Sequence, residues 1–182
     1  PEGYHVEFGG QFESEEAASR TLLLASLMSI VVIFLLIYTE FKHAAQSAVI
    51  LLNLPLALIG GVFALMLTSG EVSIPAIIGF ISLFGIATRN GMLLISHYND
   101  LRANGLTLQE SVVKGSLDRL NPILMTALTS ALALIPLAFR GDLPGNEIQS
   151  PMAQVILGGL LTSTFLNAFI VPIVYMLMNK KK

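Results

Sequence analysis

Arg89 is the residue whose position most demands an explanation. It stands about 15 residues into an apolar stretch that opens at Ile74, some ~22 Å along a helix axis at ~1.5 Å per residue. A charge at such a depth costs at least ~2.5–3.5 kcal/mol on insertion scales. It is therefore expected to face the interior of a helix bundle and to meet an acid. Ser82, Gly85, Arg89 and Ser96 fall on one face at helical spacing, a small polar stripe suited to a close helix contact or a wet seam. Two readings stand. One is functional, because charge inside a membrane marks a transport path by default. The other is structural, with the guanidinium bonded to backbone carbonyls or snorkelling toward water. No Asp or Glu lies inside any predicted apolar helix, so a partner carboxylate is expected from helices upstream of this chain. Such a carboxylate could pair with the arginine and release it as it loses and gains protons.

Arg119, Thr126 and Ser130 form a second group, on one face of a helix at spacings of seven and four. Pro122 shares that side, at a plausible first-turn position. The residues alone favour the plainer reading of an interfacial anchor with hydroxyl contacts. Small residues recur four apart, as Ala57 with Gly61, Ala127 with Ala131, Gly158 with Thr162 and Gly159 with Ser163. Bundle packing is their expected use, with Gly61, Gly85, Gly158 and Gly159 as helix-packing positions. Asn53 and Asn167 are expected to hydrogen-bond between helices. His5, His43 and His97 show no metal-ligand spacing, and no metal site is expected from them. The methionines are read as packing, although Met28, Met66 or Met92 could face a path for a soft ion. No P-loop and no nucleophile elbow occurs, so neither an enzyme nor a cofactor is expected.

The elements that must hold these residues are membrane helices. Of 182 residues, 54% are hydrophobic and only 12% charged, with a mean hydropathy of +0.75. Soluble domains carry about 25% charged residues, so the expected solvent for much of this chain is a bilayer. The fold class is an all-α membrane protein, a bundle of five transmembrane helices predicted over 21–38, 48–67, 74–101, 120–139 and 152–178. Each approaches the ~20 residues that cross a ~30 Å hydrocarbon core. Residues 1–18 read as the end of an extramembrane domain and 19–182 as the membrane domain. The stretch 107–117 alternates polar and apolar at helical spacing and is expected to lie along the interface. A chain that opens on Pro1 is expected to be part of something longer. Glu13, Glu15 and Glu16 precede the first apolar run, which argues against a signal peptide. Lys42, Arg102, Lys114, Arg119 at the end of the same loop and Lys180–Lys182 fall on one side of the predicted membrane, against Arg20 and Arg140 on the other. The positive-inside rule makes that side cytoplasmic and puts the N-terminal tail outside. There is no cysteine for a disulfide or thiolate site, and no basic, aromatic-interleaved run for nucleic acid.

The segments GFISLFGIATRNGMLLISHYNDLR, GSLDRLNPILMTALTSALALIPLAF and GNEIQSPMAQVILGGLLTSTFLNAFIVPIVY resemble the last helices of resistance-nodulation-division efflux permeases. The resemblance covers essentially the whole chain and is nearest to the heavy-metal cation branch. It implies a twelve-helix subunit in a bacterial inner membrane, of which this chain would be the eighth to twelfth helices. Residues 1–18 would then close the second periplasmic domain. It also implies proton-relay roles for Arg89 and Asn90, standing where drug exporters have a Lys-Asn pair, and for Arg119 and Thr126. Two departures are visible. Arg89 replaces Lys, and Arg does not readily lose its proton, which makes it a fixed counter-charge. Asn121 stands where a second Arg is common.

The expected function is thus proton-driven export of heavy-metal cations by antiport. Multidrug export is the alternative within the family. A non-transporting helical module is the alternative outside it, and protein secretion or lipid movement by a relative of the same fold is a further one. The implied partners are membrane lipid, the remainder of the permease chain, two further copies in a homotrimer, a periplasmic adaptor and an outer-membrane channel.

Overall fold

The apolar runs fold as helices that outreach them. A computed structural model describes residues 11–68, 70, 72–141 and 144–179. Five helices follow one another: α1 Gln11–Phe41, α2 Ala44–Leu67, α3 Ile74–Ala103, α4 Leu108–Ala138 and α5 Gln149–Asn179. All five are long and apolar enough to cross a membrane, and no strand occurs among the described residues. Residues 1–10 of the expected extramembrane tail lie outside the described residues.

Most boundaries lie within four residues of expectation, and two helix starts differ by about ten residues or more, each for a local reason. α1 begins at Gln11 instead of at residue 21. The polar segment before its apolar run is rich in Glu and Ala, both good helix formers. A 31-residue helix is about 46 Å long, so it outreaches the hydrocarbon. α4 begins at Leu108, and 107–117 does not form a separate interfacial helix. Thr107 and Glu110 make a reciprocal capping box, with the Thr107 N–H donating to Glu110 Oε2 at 3.0 Å. Past that start, Ser111, Val112 and Gly115 turn inward, and Gly115 lies so close to the Tyr98 ring that a Cβ would stand 2.6 Å from its Cδ1. The amphipathic face is spent on α3. Pro122 is consequently inside α4 and not in its first turn.

The connections are short, so successive helices run antiparallel. Only Lys42 and His43 join α1 to α2, and Lys42 takes a left-handed φ of 53° to turn the chain there. α2, α3 and α5 form the inner triad, α4 lies on α5 and α3, and α1 lies along α3 and α2. The seam of α2 and α5 is the closest. A Cβ on Gly60 would stand 2.5 Å from the Gly158 carbonyl oxygen and 2.6 Å from Thr162 Cβ. Gly61 meets Phe80 and Val155, and Gly159 meets Leu83. Bare backbone at these positions is what lets the axes approach. Within the seam the Asn53 side-chain amide donates to Asn167 Oδ1 at 2.6 Å, and Asn167 donates to Ser163 Oγ at 3.3 Å. Gly91 of α3 leaves room beside this pair. Around it pack Ile50, Leu94, Ile95, Tyr98 and Tyr175 toward one end and Leu54, Leu83, Phe84 and Ala87 in the middle.

Only 6% of the apolar window of α1, and 6% of that of α4, is buried within the chain. Leu23, Leu27, Met28, Leu128 and Leu132 are all exposed. Apolar surface on this scale needs lipid or further helices against it.

Candidate transport site

The charges of the membrane helices are confined to few places. α2 and α5 contain no Asp, Glu, Lys, Arg or His at all. α3 supplies Arg89, and α4 supplies Arg119. Their helices bring the two together: Arg89, Asn90, Leu93 and Leu94 of α3 and Arg119, Pro122, Ile123 and Thr126 of α4 line one recess of about 180 Å³. All four residues singled out as proton-relay positions therefore share one small space, walled by two helices only. Ser130 is not part of it.

Arg89 does not face the interior of this five-helix bundle. It is exposed, as are Ser82 and Gly85 on the same face, and nothing lies within 4 Å of a Cβ built on Gly85. The polar stripe is real, but it forms an open side. Gly85 thus packs against no described helix, unlike Gly61, Gly158 and Gly159. The reason is geometric: α2, α5 and α4 occupy the other sides of α3, which buries Thr88, Gly91 and Leu94 instead. Arg89 makes no ion pair among the described residues.

Asn90, next to it, is buried, and its side-chain amide nitrogen has no partner among the described residues. Thr126 turns its hydroxyl back to the Pro122 carbonyl at 2.8 Å, so its lone pairs remain open to the recess. Pro122 has no N–H to give the carbonyl one turn earlier, which leaves that part of α4 backbone-polar as well. Two cations, an unpartnered amide and a hydroxyl make a space suited to carboxylate and water, and unsuited to a cationic metal. Among the described residues no cluster of His, Asp and Glu could hold a metal ion.

Reasoning on the sequence missed two polar groups at the end of the bundle where α3 stops and α4 starts. His97 Nε2 lies 3.2 Å from Asp118 Oδ2, joining α3 to α4. Nearby, Tyr175 donates to Asn99 Oδ1 at 2.6 Å, Asn99 and Gln46 exchange hydrogen bonds, and Arg102 donates to Asn179 at 2.9 Å. No periodicity announces contacts between positions this far apart in the chain. The polar residues at helix ends were the available hint.

These helices, seams and intramembrane charges define a polytopic membrane protein with a polar site between two of its spans. The chain belongs to the AcrB/AcrD/AcrF family, whose profile matches residues 1–179. It is similar to the nickel-cobalt-cadmium resistance protein NccA of Alcaligenes xylosoxydans xylosoxydans, with 39% identity over 183 residues, covering 100% of this chain and 17% of that protein. The cobalt-zinc-cadmium resistance protein CzcA of Cupriavidus metallidurans is 36% identical over 181 residues, with the same coverage. The crystal structure of a heavy metal efflux pump matches with a TM-score of 0.84 and 37% identity, over 99% of this chain and 18% of that one. The chain thus spans less than a fifth of the length of the relatives it matches.

Proposed function

We propose that this chain is the last five membrane helices of a proton-driven exporter of heavy-metal cations in a bacterial inner membrane. The observation that carries the reading is the recess between α3 and α4, where Arg89 and Arg119 converge with no acid among the described residues. The names of the similar proteins support metal as the cargo, and the cargo's own site belongs to the longer protein. In this reading the open side of α3 is covered by other helices of the same permease, and one of them brings a carboxylate to the recess. When ionised, that carboxylate is held by the two guanidiniums. When protonated, it lets them go. Arg89 stays charged throughout, so the proton travels on the carboxylate and the arginines convert its charge into a change of helix position.

Orientation follows from charge. Lys42, Arg102 and Lys114 lie at the bundle end where α1 meets α2 and α3 meets α4. That end is read as cytoplasmic, with the N-terminus periplasmic and the C-terminus cytoplasmic. Assembly as a homotrimer with a periplasmic adaptor and an outer-membrane channel belongs to the same reading.

The test is Arg89→Ala in the longer permease chain. Metal tolerance of cells and metal-dependent proton flux in proteoliposomes are expected to vanish, while the amount of protein in the membrane stays unchanged. Unimpaired export by that variant overturns the proposal.

A further inference from the structure

The recess is walled by α3 and α4 alone, so its shape is the packing of those two helices. One to three turns below it, three contacts set that packing. Gly115 is pressed on the Tyr98 ring, the Tyr98 hydroxyl is hydrogen-bonded to Ser116 Oγ, and His97 Nε2 stands 3.2 Å from Asp118 Oδ2. The first two contacts are indifferent to pH near neutrality. The third changes with the charge of the imidazole, an ion pair with Asp118 when it is protonated and a single hydrogen bond when it is neutral. Asp118 is also the residue immediately before Arg119, so whatever holds Asp118 fixes where Arg119 leaves the helix.

We propose that His97 and Asp118 are a positioning pair that holds Arg119 against Arg89, firmly while His97 is protonated and loosely when it is not. This rests on the transport reading above. With His97 charged, the contact is an ion pair across two helices. With His97 neutral, it is a single uncharged hydrogen bond, and α4 gains freedom relative to α3. The side chains are 23% and 47% exposed, so the pair is open to protons from one end of the bundle. The charged groups around it are few. On its own helices these are Asp100, one turn beyond His97, Arg102 further along α3, Lys114, one turn before Asp118, and Arg119 itself. α1, packed on α3, brings Glu40 in its last turn, while α5 and α2 bring none. No other ion pair occurs among the described residues.

The experiment uses the longer permease in proteoliposomes, with Co²⁺ as the probe, and records cobalt-dependent proton flux from pH 5.5 to 8. The wild-type profile is expected to have a pH-dependent limb that His97→Gln and Asp118→Asn both flatten. Their rates should fall about two- to five-fold on the acidic side, as suits a partly exposed pair, with little change at pH 8. The double variant should be no worse than either single one. Unchanged profiles in both single variants, or effects that add in the double, overturn the inference.

A second measurement does not depend on transport. Spin labels at the exposed positions Ile78 and Leu132 report the separation of α3 and α4. The distance should broaden as pH rises in the wild type and stay broad at all pH values in His97→Gln. A pH-independent distance in the wild type also overturns the inference. Arg89→Ala run alongside separates the two ideas: normal flux in that variant sinks the transport reading, whereas the label distances still test the pair.

Discussion

Adding one methyl group at Gly60 should be among the most damaging small changes in this chain. Alanine in a helix interior ordinarily stabilises relative to glycine, by roughly 0.5–1 kcal/mol. Here the sign should reverse. The new Cβ would lie 2.5 Å from the Gly158 carbonyl oxygen, whereas ordinary contact begins at 3.4 Å, so the shortfall is 3.4 − 2.5 = 0.9 Å. The obstacle is the backbone of α5, which no rotamer change can move aside. α2 and α5 must therefore separate by about that amount, and overpacking of this kind costs about 1–3 kcal/mol. Asn53 lies seven residues before Gly60 on the same face, and its bond to Asn167 is 2.6 Å. A rigid shift of 0.9 Å would stretch it to 2.6 + 0.9 = 3.5 Å, the edge of hydrogen bonding. Interhelical hydrogen bonds in membranes average about 0.6 kcal/mol.

Overpacking and the lost hydrogen bond, less the helix gain of Ala over Gly, leave Gly60→Ala a net loss of about 1–3 kcal/mol, or an unfolding constant raised by roughly 5- to 150-fold at ~1.4 kcal/mol per decade. Denaturation of the purified protein in mixed micelles, followed by circular dichroism against the mole fraction of dodecyl sulfate, measures it. A midpoint equal to or above that of the wild type would show that the α2–α5 seam is not the close backbone contact described here.

Three further outcomes follow from the same geometry. Gly85→Ala, with nothing within 4 Å, should leave micelle stability unchanged or slightly higher, yet impair export in the longer chain if other helices cover that face; normal export would leave the face to lipid. Asn167→Leu alone should cost about 1–2 kcal/mol by leaving the Asn53 amide buried without a partner, whereas Asn53→Leu with Asn167→Leu should recover most of it; a double-mutant cycle in micelles with additive losses would refute the pairing. Arg119→Leu should raise the micelle stability of the five-helix segment while abolishing metal-dependent proton flux in the longer permease; lower stability would make Arg119 a structural anchor.

Much of the architecture was legible because hydropathy alone separates five spans, and short loops force antiparallel neighbours. Arg89 could be found from depth, since few residues are so costly to place there. The direction it faces could not. Helical spacing put Ser82, Gly85 and Arg89 on one side, but which side is covered depends on how α2, α4 and α5 divide the surface of α3, and that is a tertiary fact. The start of α4 has a local signature, since Thr107-Leu-Gln-Glu110 is a capping-box pattern, but the alternation of polar and apolar residues over 107–117 does not by itself distinguish an interfacial helix from the first turns of a span. The polar face is explained by length: 31 residues reach about 46 Å, so the first turns stand outside the hydrocarbon. The approach of His97 to Asp118 left no trace in sequence, because it depends on how two helices cross and not on the period of either.

The charge of the recess carries the largest consequence. Two guanidiniums at membrane depth cost about 5–7 kcal/mol together on insertion scales, comparable to the whole folding stability of an ordinary domain. The described residues return almost none of that. Arg89 has no ion pair among the described residues, and the one acid adjacent to Arg119 in sequence, Asp118, is turned to His97. Hydrogen bonds to water or to the carbonyl freed by Pro122 can satisfy donors without cancelling charge. On the transport reading proposed above, a bundle built this way calls for negative charge on the open side of α3, and protonating a carboxylate there would weaken its hold on the two guanidiniums and free α4 to shift against α3.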